Sequence, residues 1–287
     1  MRLYIIADME GATGVVHRDD LMEDGGHHWQ RARGWLTGDV NAAIAGAVSR
    51  GVTEVVVSEG HAHMRNLILD ELDPRASLVR GPARWENRPL CQASALDPDF
   101  DLAFFIAFHS RAGTPGGLLS HTWAGAIVHS LHLNGQEVGE TAINAAICAD
   151  QGIPVALVTG ADDVCREAGA DLPWVETAAV KTALGFDIAS CLPPGATGAR
   201  IREAAARATE RATRERLPLF SLRPGAGCTA RLSVHRRQMA DKMSLVPGLE
   251  RTDEREMTAR AETASEALSA VWRGVAAAFH EQPGWLR

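Results

Sequence analysis

Three apolar runs along this chain stop at residues able to bind a metal ion. Leu3–Ala7 leads into Asp8-Met9-Glu10-Gly11, Thr53–Val57 into Ser58-Glu59-Gly60-His61, and Asp101–Phe108 into His109. Between the first two runs, from about Trp29 to Arg50, apolar residues recur every three to four positions (Trp35, Val40, Ala43, Ile44, Ala47, Val48), and Gly51 follows as a stop. Strand, helix, strand is a βαβ unit. Parallel strands set their C-terminal ends on one edge of the sheet, where ligands bind in open α/β folds. The expected fold is therefore α/β, with a central, largely parallel sheet flanked by helices.

The rest of the chain is read in the same way. Asp19–His28 is polar and reads as a surface loop. His129–Leu133, Asn134-Gly135 and Gln136–Val138 form a β-hairpin with a type I′ turn. Gly139-Glu140 opens a helix, so Glu140 sits in a first helical turn. Pro154–Thr159 is a buried strand, followed by a helix from about Val164 to Ala170. Thr177–Lys181 is a candidate strand, Ala199–Arg216 a solvated helix, and Thr229–Ser233 is strand-like. A last helix is expected over about Thr258–His280, ending near Pro283-Gly284.

Composition excludes several classes. Hydrophobic residues make up 46% of 287, enough for a sizeable core. The net charge is −7 with no basic cluster, which argues against a nucleic-acid partner. The short basic run Ala230–Arg237 reads as a strand edge. Cys91, Cys148, Cys165, Cys191 and Cys228 are odd in number and contain no C-x-x-C pair, so reduced core thiols are expected. No charged-then-apolar leader and no membrane-length apolar run stands out, so the expected location is cytoplasmic, away from membranes.

The candidate ligands are Asp8, Glu10, His61, His109 and Glu140. A strand's period of two places Asp8 and Glu10 on one side, where two carboxylates repel unless a cation or a proton intervenes. Three carboxylates and two imidazoles suit zinc, with manganese a weaker option. Five ligands exceed the need of one tetrahedral ion and suit two ions about 3.5–4 Å apart with a bridging carboxylate. A single histidine after a strand is more often a core residue; the joint occurrence carries the argument.

Asp8-Met9-Glu10-Gly11, Gly60-His61 with Met64-Arg65-Asn66-Leu67, Phe108-His109-Ser110-Arg111-Ala112, Thr114-Pro115-Gly116, Ser120-His121, and Val138-Gly139-Glu140 with Asn144 resemble the zinc-dependent D-aminopeptidase family. The resemblance runs in order along nearly the whole chain, to Ala179-Val180-Lys181 and Pro247-Gly248. It implies two zinc ions per subunit, a smaller second α/β domain and a ring-shaped homodecamer. On that pattern residues 1–190 form the metal-binding catalytic domain, and 191–287 a smaller C-terminal portion packing on it or extending it. Asp8 would bridge, Glu10 and His109 would complete one ion's shell, and His61 and Glu140 the other's. His121 matches the family's catalytic histidine, as acid/base, oxyanion donor or nucleophile. The sequence departs from the pattern at Ser58-Glu59, in a longer Gly116-Gly117 loop, and over Arg84–Ser94.

The implied function is hydrolysis of the amide bond of small peptides or amides, most simply of D-amino acids, through a zinc-bound hydroxide. The alternatives are a metal-dependent amidohydrolase acting on a non-peptide amide, or a catalytically silent ring-forming binding protein. Arg111 and Asn144 are candidate substrate-binding residues. His63 is a weaker candidate ligand, Glu59 a partner of His61 or a surface residue, and Lys181 has no assigned role.

Overall fold

Alternation in the first strand divides the core in two. β1 (Arg2–Ala7) sends Leu3, Ile5 and Ala7 into one apolar cluster and Tyr4 and Ile6 into another. In the computed structural model, which describes residues 1–222 and 227–279, the chain then runs through α1 (Arg18–Leu21), α2 (His27–Val48), β2 (Glu54–Glu59), β3 (Ala76–Val79) and β4 (Leu102–Phe108). A hairpin of β5 (Val128–Leu133) and β6 (Gln136–Glu137) precedes α3 (Glu140–Asp150), β7 (Val155–Ala161), α4 (Asp162–Asp171), β8 (Glu176–Gly185), β9 (Ile188–Cys191) and α5 (Pro194–Arg214). The last elements are β10 (Cys228–Val234), α6 (Arg237–Met243), β11 (Glu250–Asp253), β12 (Glu256–Ala261) and α7 (Ala264–Ala278).

Seven strands form one sheet in the order β3-β2-β1-β4-β7-β8-β9. All pairs are parallel except β8 with β9. The fold is thus mixed α/β with a largely parallel main sheet. On the Leu3 face, Leu36, Val40 and Ile44 of α2 and Ile201 and Ala204 of α5 close the core. On the Tyr4 face lie α3 and a second, antiparallel sheet in the order β11-β12-β10-β5-β6, backed by α7. That smaller sheet takes β5 and β6 from residues 128–137 and three strands from residues 228–261, so the chain enters it twice. Phe105 is fully buried where main sheet and second layer meet, and truncating it to alanine would cost about 3–5 kcal/mol.

Several expectations need correction. The stretch from Asp19 to His28 is not a loop: α1 starts behind an N-capping His17, and α2 begins at His27. The Ala230–Arg237 run is no sheet edge, because β10 pairs with β12 on one side and β5 on the other; Arg231 is matched by Glu256 at 2.6 Å. The final helix does not begin at Thr258. β12 ends at Ala261, and α7 starts behind a Thr263/Glu266 capping box. His280 and Pro283-Gly284, where its end was expected, lie outside the described residues. The cysteines are free, but Cys191 is exposed on β9 rather than in the core. Among the described residues, no helix is long and apolar enough to cross a membrane.

A candidate metal centre at the sheet's C-terminal edge

β1, β2 and β4 are neighbours and parallel, so the residues after them arrive at one place. Asp8 and Glu10 reach it from a turn, not by strand alternation, since β1 ends at Ala7. The turn is pressed against β4: Asp8 N donates to Ile106 O at 2.9 Å and Gly11 N to Ala107 O at 2.8 Å. A Cβ on Gly11 would lie 2.0 Å from Phe108 O, so only glycine fits. The end of β4 is itself irregular. Ala107 has φ 63° and donates its N–H to Thr159 Oγ1, where the pairing with β7 shifts register. A left-handed non-glycine residue at a bulge is the kind of local strain found where a side chain is re-aimed, and here His109 follows.

Five candidate ligands converge. His61 Nδ1 lies 3.0 Å from Glu10 Oε2 and 3.6 Å from Asp8 Oδ1. His109 Nε2 lies 3.6 Å from Asp8 Oδ2 and 3.3 Å from Glu140 Oε1. Donor atoms of Asp8, Glu10 and His61 fall within 4.8 Å of one another, as do those of Asp8, His109 and Glu140, and those of Glu10, His109 and His121. Asp8 is common to the first two groups, as a bridging ligand must be. Around Asp8, His61 stands with Glu10 and Glu140 with His109, while Glu10 and His109, which the resemblance placed on one ion, meet in the third group with His121. His63 is exposed and joins no group among the described residues.

The histidines are pre-oriented. His61 Nε2–H donates to Leu21 O (3.2 Å), His109 Nδ1–H to Ser110 O (2.9 Å) and His121 Nδ1–H to Leu119 O (2.8 Å). Each anchored nitrogen leaves the opposite one facing the carboxylates, the arrangement in which protein histidines bind metals. His121 is stacked on His109, with Nε2 3.7 Å from Glu10 Oε1 and 4.0 Å from Glu140 Oε1.

Charge in this pocket is strongly coupled. Burial, with Glu10 beside it, pushes the Asp8 carboxyl up to about 7. Burial opposes ionisation of Glu10 and Glu140 too, but His61 and His109 respectively overcome it and hold both below the usual carboxylate range. Burial likewise disfavours the imidazolium forms of His61 and His109, yet Glu10 and Asp8 raise His61 to about 10, and Glu140 holds His109 well above its ordinary value. His121 is lowered, first by burial and then by His109. Three carboxylates thus draw positive charge to imidazole nitrogens, and divalent cations satisfy the same donor set. The residues fit a pair of zinc ions.

Four residues that sequence reasoning left without a role support the site. Gln92 is buried among the ligands, its Nε2 donating to Glu140 Oε2 at 2.5 Å and to Asp8 Oδ2 at 3.3 Å. Lys181 donates to the carbonyls of Glu10, Ala12 and Val15 (2.7, 2.7 and 2.5 Å), clamping the turn that carries Glu10. Asp163 accepts from Ser110 Oγ and Leu118 N, and Glu167 from Arg111 N, so α4 holds the glycine-rich loop between His109 and His121. Arg111 turns to Glu167 (3.3 Å), and Asn144 sits behind Glu140, bonded to its carbonyl and to Gln92. Glu59 is buried and caps the backbone of Asn66 and Leu67. It reaches His61 only indirectly, through Asn66 Nδ2 on His61 O.

A cavity of about 990 Å3 opens over the cluster. Asp8, Glu10, His61, His121 and Glu140 line its floor, while Met22, Met64, Leu119, Trp123, Phe186 and Trp272 give apolar walls. Trp123 N donates to Glu140 Oε1 at 2.6 Å, tying one wall to the site.

Residues 1–272 match a family model described as D-aminopeptidase. A D-aminopeptidase of Bacillus subtilis (strain 168) is 35% identical over 203 residues, 71% of this chain and 72% of that protein. A solved structure, described as the Zn-dependent D-aminopeptidase DppA from Bacillus subtilis, a self-compartmentalizing protease, superposes with a TM-score of 0.89 at 30% identity, covering 99% of this chain and 100% of that one.

Proposed function

The chain belongs to the D-aminopeptidase family, and from that premise we propose that it is a dizinc hydrolase that removes the N-terminal residue of small D-amino acid peptides or amides. The observation that carries the reading is the shared Asp8. It closes two three-residue groups, each with one further carboxylate and one carbonyl-anchored histidine. Asp8, Glu10 and His61 would hold one ion, and Asp8, His109 and Glu140 the other. When bound, such a pair brings the pKa of water near neutrality and polarises a carbonyl.

The chain's own residues do the rest. His121 carries its proton on Nδ1 and keeps Nε2 free toward the cavity. Nε2 takes the proton of the attacking water and returns it to the departing nitrogen, a role for which a neutral imidazole is suited. The apolar walls exclude bulk water and receive the substrate's side chain. Arg111 and Asn144 act as positioning residues, Arg111 through the loop after His109 and Asn144 through Glu140. Self-compartmentalisation in the relative, together with the exposed apolar tip Leu184, Phe186 and Ile188, of which Phe186 lines the cavity, favours a ring-shaped homo-oligomer.

The test is metal content per chain on protein purified without added metal, with hydrolysis of D-Ala-D-Ala, an L-dipeptide, D- and L-amino acid amides and a non-peptide amide. Two zinc ions with cleavage confined to D-substrates is the expected result. Two ions without cleavage of any peptide would move the substrate to another amide, and metal-free, zinc-unresponsive protein would sink the catalytic reading.

A further inference from the structure

We infer that Gln92 is a positioning residue that fixes Glu140 for the ion shared with Asp8 and His109, so that it tunes one metal position and not the other. The inference rests on the dizinc reading above. Gln92 comes from the segment between β3 and β4 that carries no family-like motif, yet it is only 2% exposed. Its backbone is pinned to β2 by Ser58 Oγ on Gln92 O at 2.7 Å, next to Cys91 in a left-handed conformation (φ 54°).

The orientation of its amide follows from its partners. Nε2 faces Glu140 Oε2 (2.5 Å) and Gly60 O (3.4 Å), which only accept, and Asp8 Oδ2 (3.3 Å). Oε1 accepts from Asn144 Nδ2 (2.6 Å), and the same Nδ2 donates to the carbonyl of Glu140 (2.9 Å). Asn144 is one turn after Glu140 on α3, so helix, amide and carboxylate close a ring of hydrogen bonds. With Oε2 taken by Gln92, Glu140 presents Oε1 toward His109, 3.3 Å away. A neutral amide suits this place. It bridges two carboxylates from different elements without cancelling the negative charge that holds a cation, as lysine or arginine would. Glu10 and His61 make no bond to Gln92, and Gln92 meets the shared Asp8 at Oδ2, the oxygen facing His109 and not the one facing His61, so the asymmetry between the two positions is built in.

The experiment is stepwise zinc binding to chelator-stripped protein, read by competition with a chromophoric chelator, alongside denaturant unfolding of the metal-free form. Q92M keeps the volume and removes the hydrogen bonds. One of the two stepwise affinities should fall about 10–100-fold, the range expected for loss of a group that orients a ligand. The other should stay close to wild type, and the unfolding midpoint should change little. Asn144→Ala, which unlocks the amide but keeps Gln92, should weaken the same ion, and the double variant should be no worse than Q92M. That also serves if Q92M fails to fold. Equal weakening of both ions with a lowered midpoint would make Gln92 a packing residue and overturn the inference, as would unchanged affinities. Wild-type protein that takes up fewer than two ions would overturn the dizinc reading and this role with it; two ions in wild type with unchanged affinities in Q92M would overturn this role alone.

Discussion

The imidazole of His121 lies flat on that of His109, with ring centroids 4.0 Å apart and planes 10° from parallel. His109 is thereby covered on its cavity side, and His121 is the ring that lines the cavity. His121→Ala should lower kcat by about 10²–10⁴-fold, the usual worth of a positioned acid/base. Metal content should stay at the wild-type level. Loss of both ions in this variant would make His121 a ligand instead.

Asp8 joins the group with Glu10 and His61 to the group with His109 and Glu140. Asp8→Ala should abolish binding of both ions, whereas Glu10→Gln and Glu140→Gln should each weaken a different one. Stepwise titration with zinc distinguishes these patterns. Identical behaviour of the two glutamate variants would contradict the partition.

Lys181 is 2% exposed and spans three carbonyls of the turn after β1. Burial lowers its pKa to about 8, so its charge is retained at neutral pH at some cost. Lys181→Met would leave those carbonyls without their donor. A loss of about 2–4 kcal/mol of stability is expected, net of the desolvation relieved. Urea unfolding measures the first effect; weaker zinc binding should accompany it, because Glu10 rides on the same turn.

Asp39 accepts from Thr13 N and Thr13 Oγ1, and burial raises its carboxyl to about 6. A raised acid binds more protons folded than unfolded. Its contribution to stability is therefore greatest below the ordinary value near 3.8 and is lost as pH rises to about 6, a change of about 3 kcal/mol. Relative to Asp39→Asn, metal-free wild type should become less stable across that window and level off above it. Unfolding curves of both proteins between pH 4 and 7 check the sign; a difference that is flat or rises with pH would be inconsistent with a raised pKa.

Leu184, Phe186 and Ile188 are 63, 61 and 54% exposed around one hairpin, beside edge strand β9. An apolar tip on an open edge invites association. Leu184→Glu with Ile188→Glu should reduce the mass seen by light scattering while leaving metal content intact. Phe186 is spared in this design because it lines the cavity and its carbonyl receives Leu119 N.

The ligand-bearing strand ends were readable because β1, β2 and β4 are buried parallel strands whose apolar runs stop abruptly at polar residues. The neighbourhood of those ligands was not. Gln92 lies in a proline-broken segment without periodicity, and its partners stand 48 and 84 residues away. Lys181 was visible as part of a strand, but the carbonyls it binds are 166 to 171 residues distant and carry no side-chain signal. The misplaced start of α7 had a local remedy. Thr263-Ala264-Ser265-Glu266 is a capping-box pattern, and the alternation of Met257, Thr258, Ala259 and Arg260 before it belongs to a strand pairing with β10. The grouping of the candidate ligands around Asp8 depends on how a turn and a bulge re-aim side chains, which strand periodicity does not encode.

Each of the three site histidines spends one nitrogen on a main-chain oxygen. An imidazole fixed in this way has no rotation left to make when a cation arrives, so the donor atoms are already in place before the ion binds. Were zinc exchanged for cobalt, the fold should stay unperturbed and a spectroscopically silent centre should become a coloured one, which would let the surroundings of the bound ion be followed by its absorption.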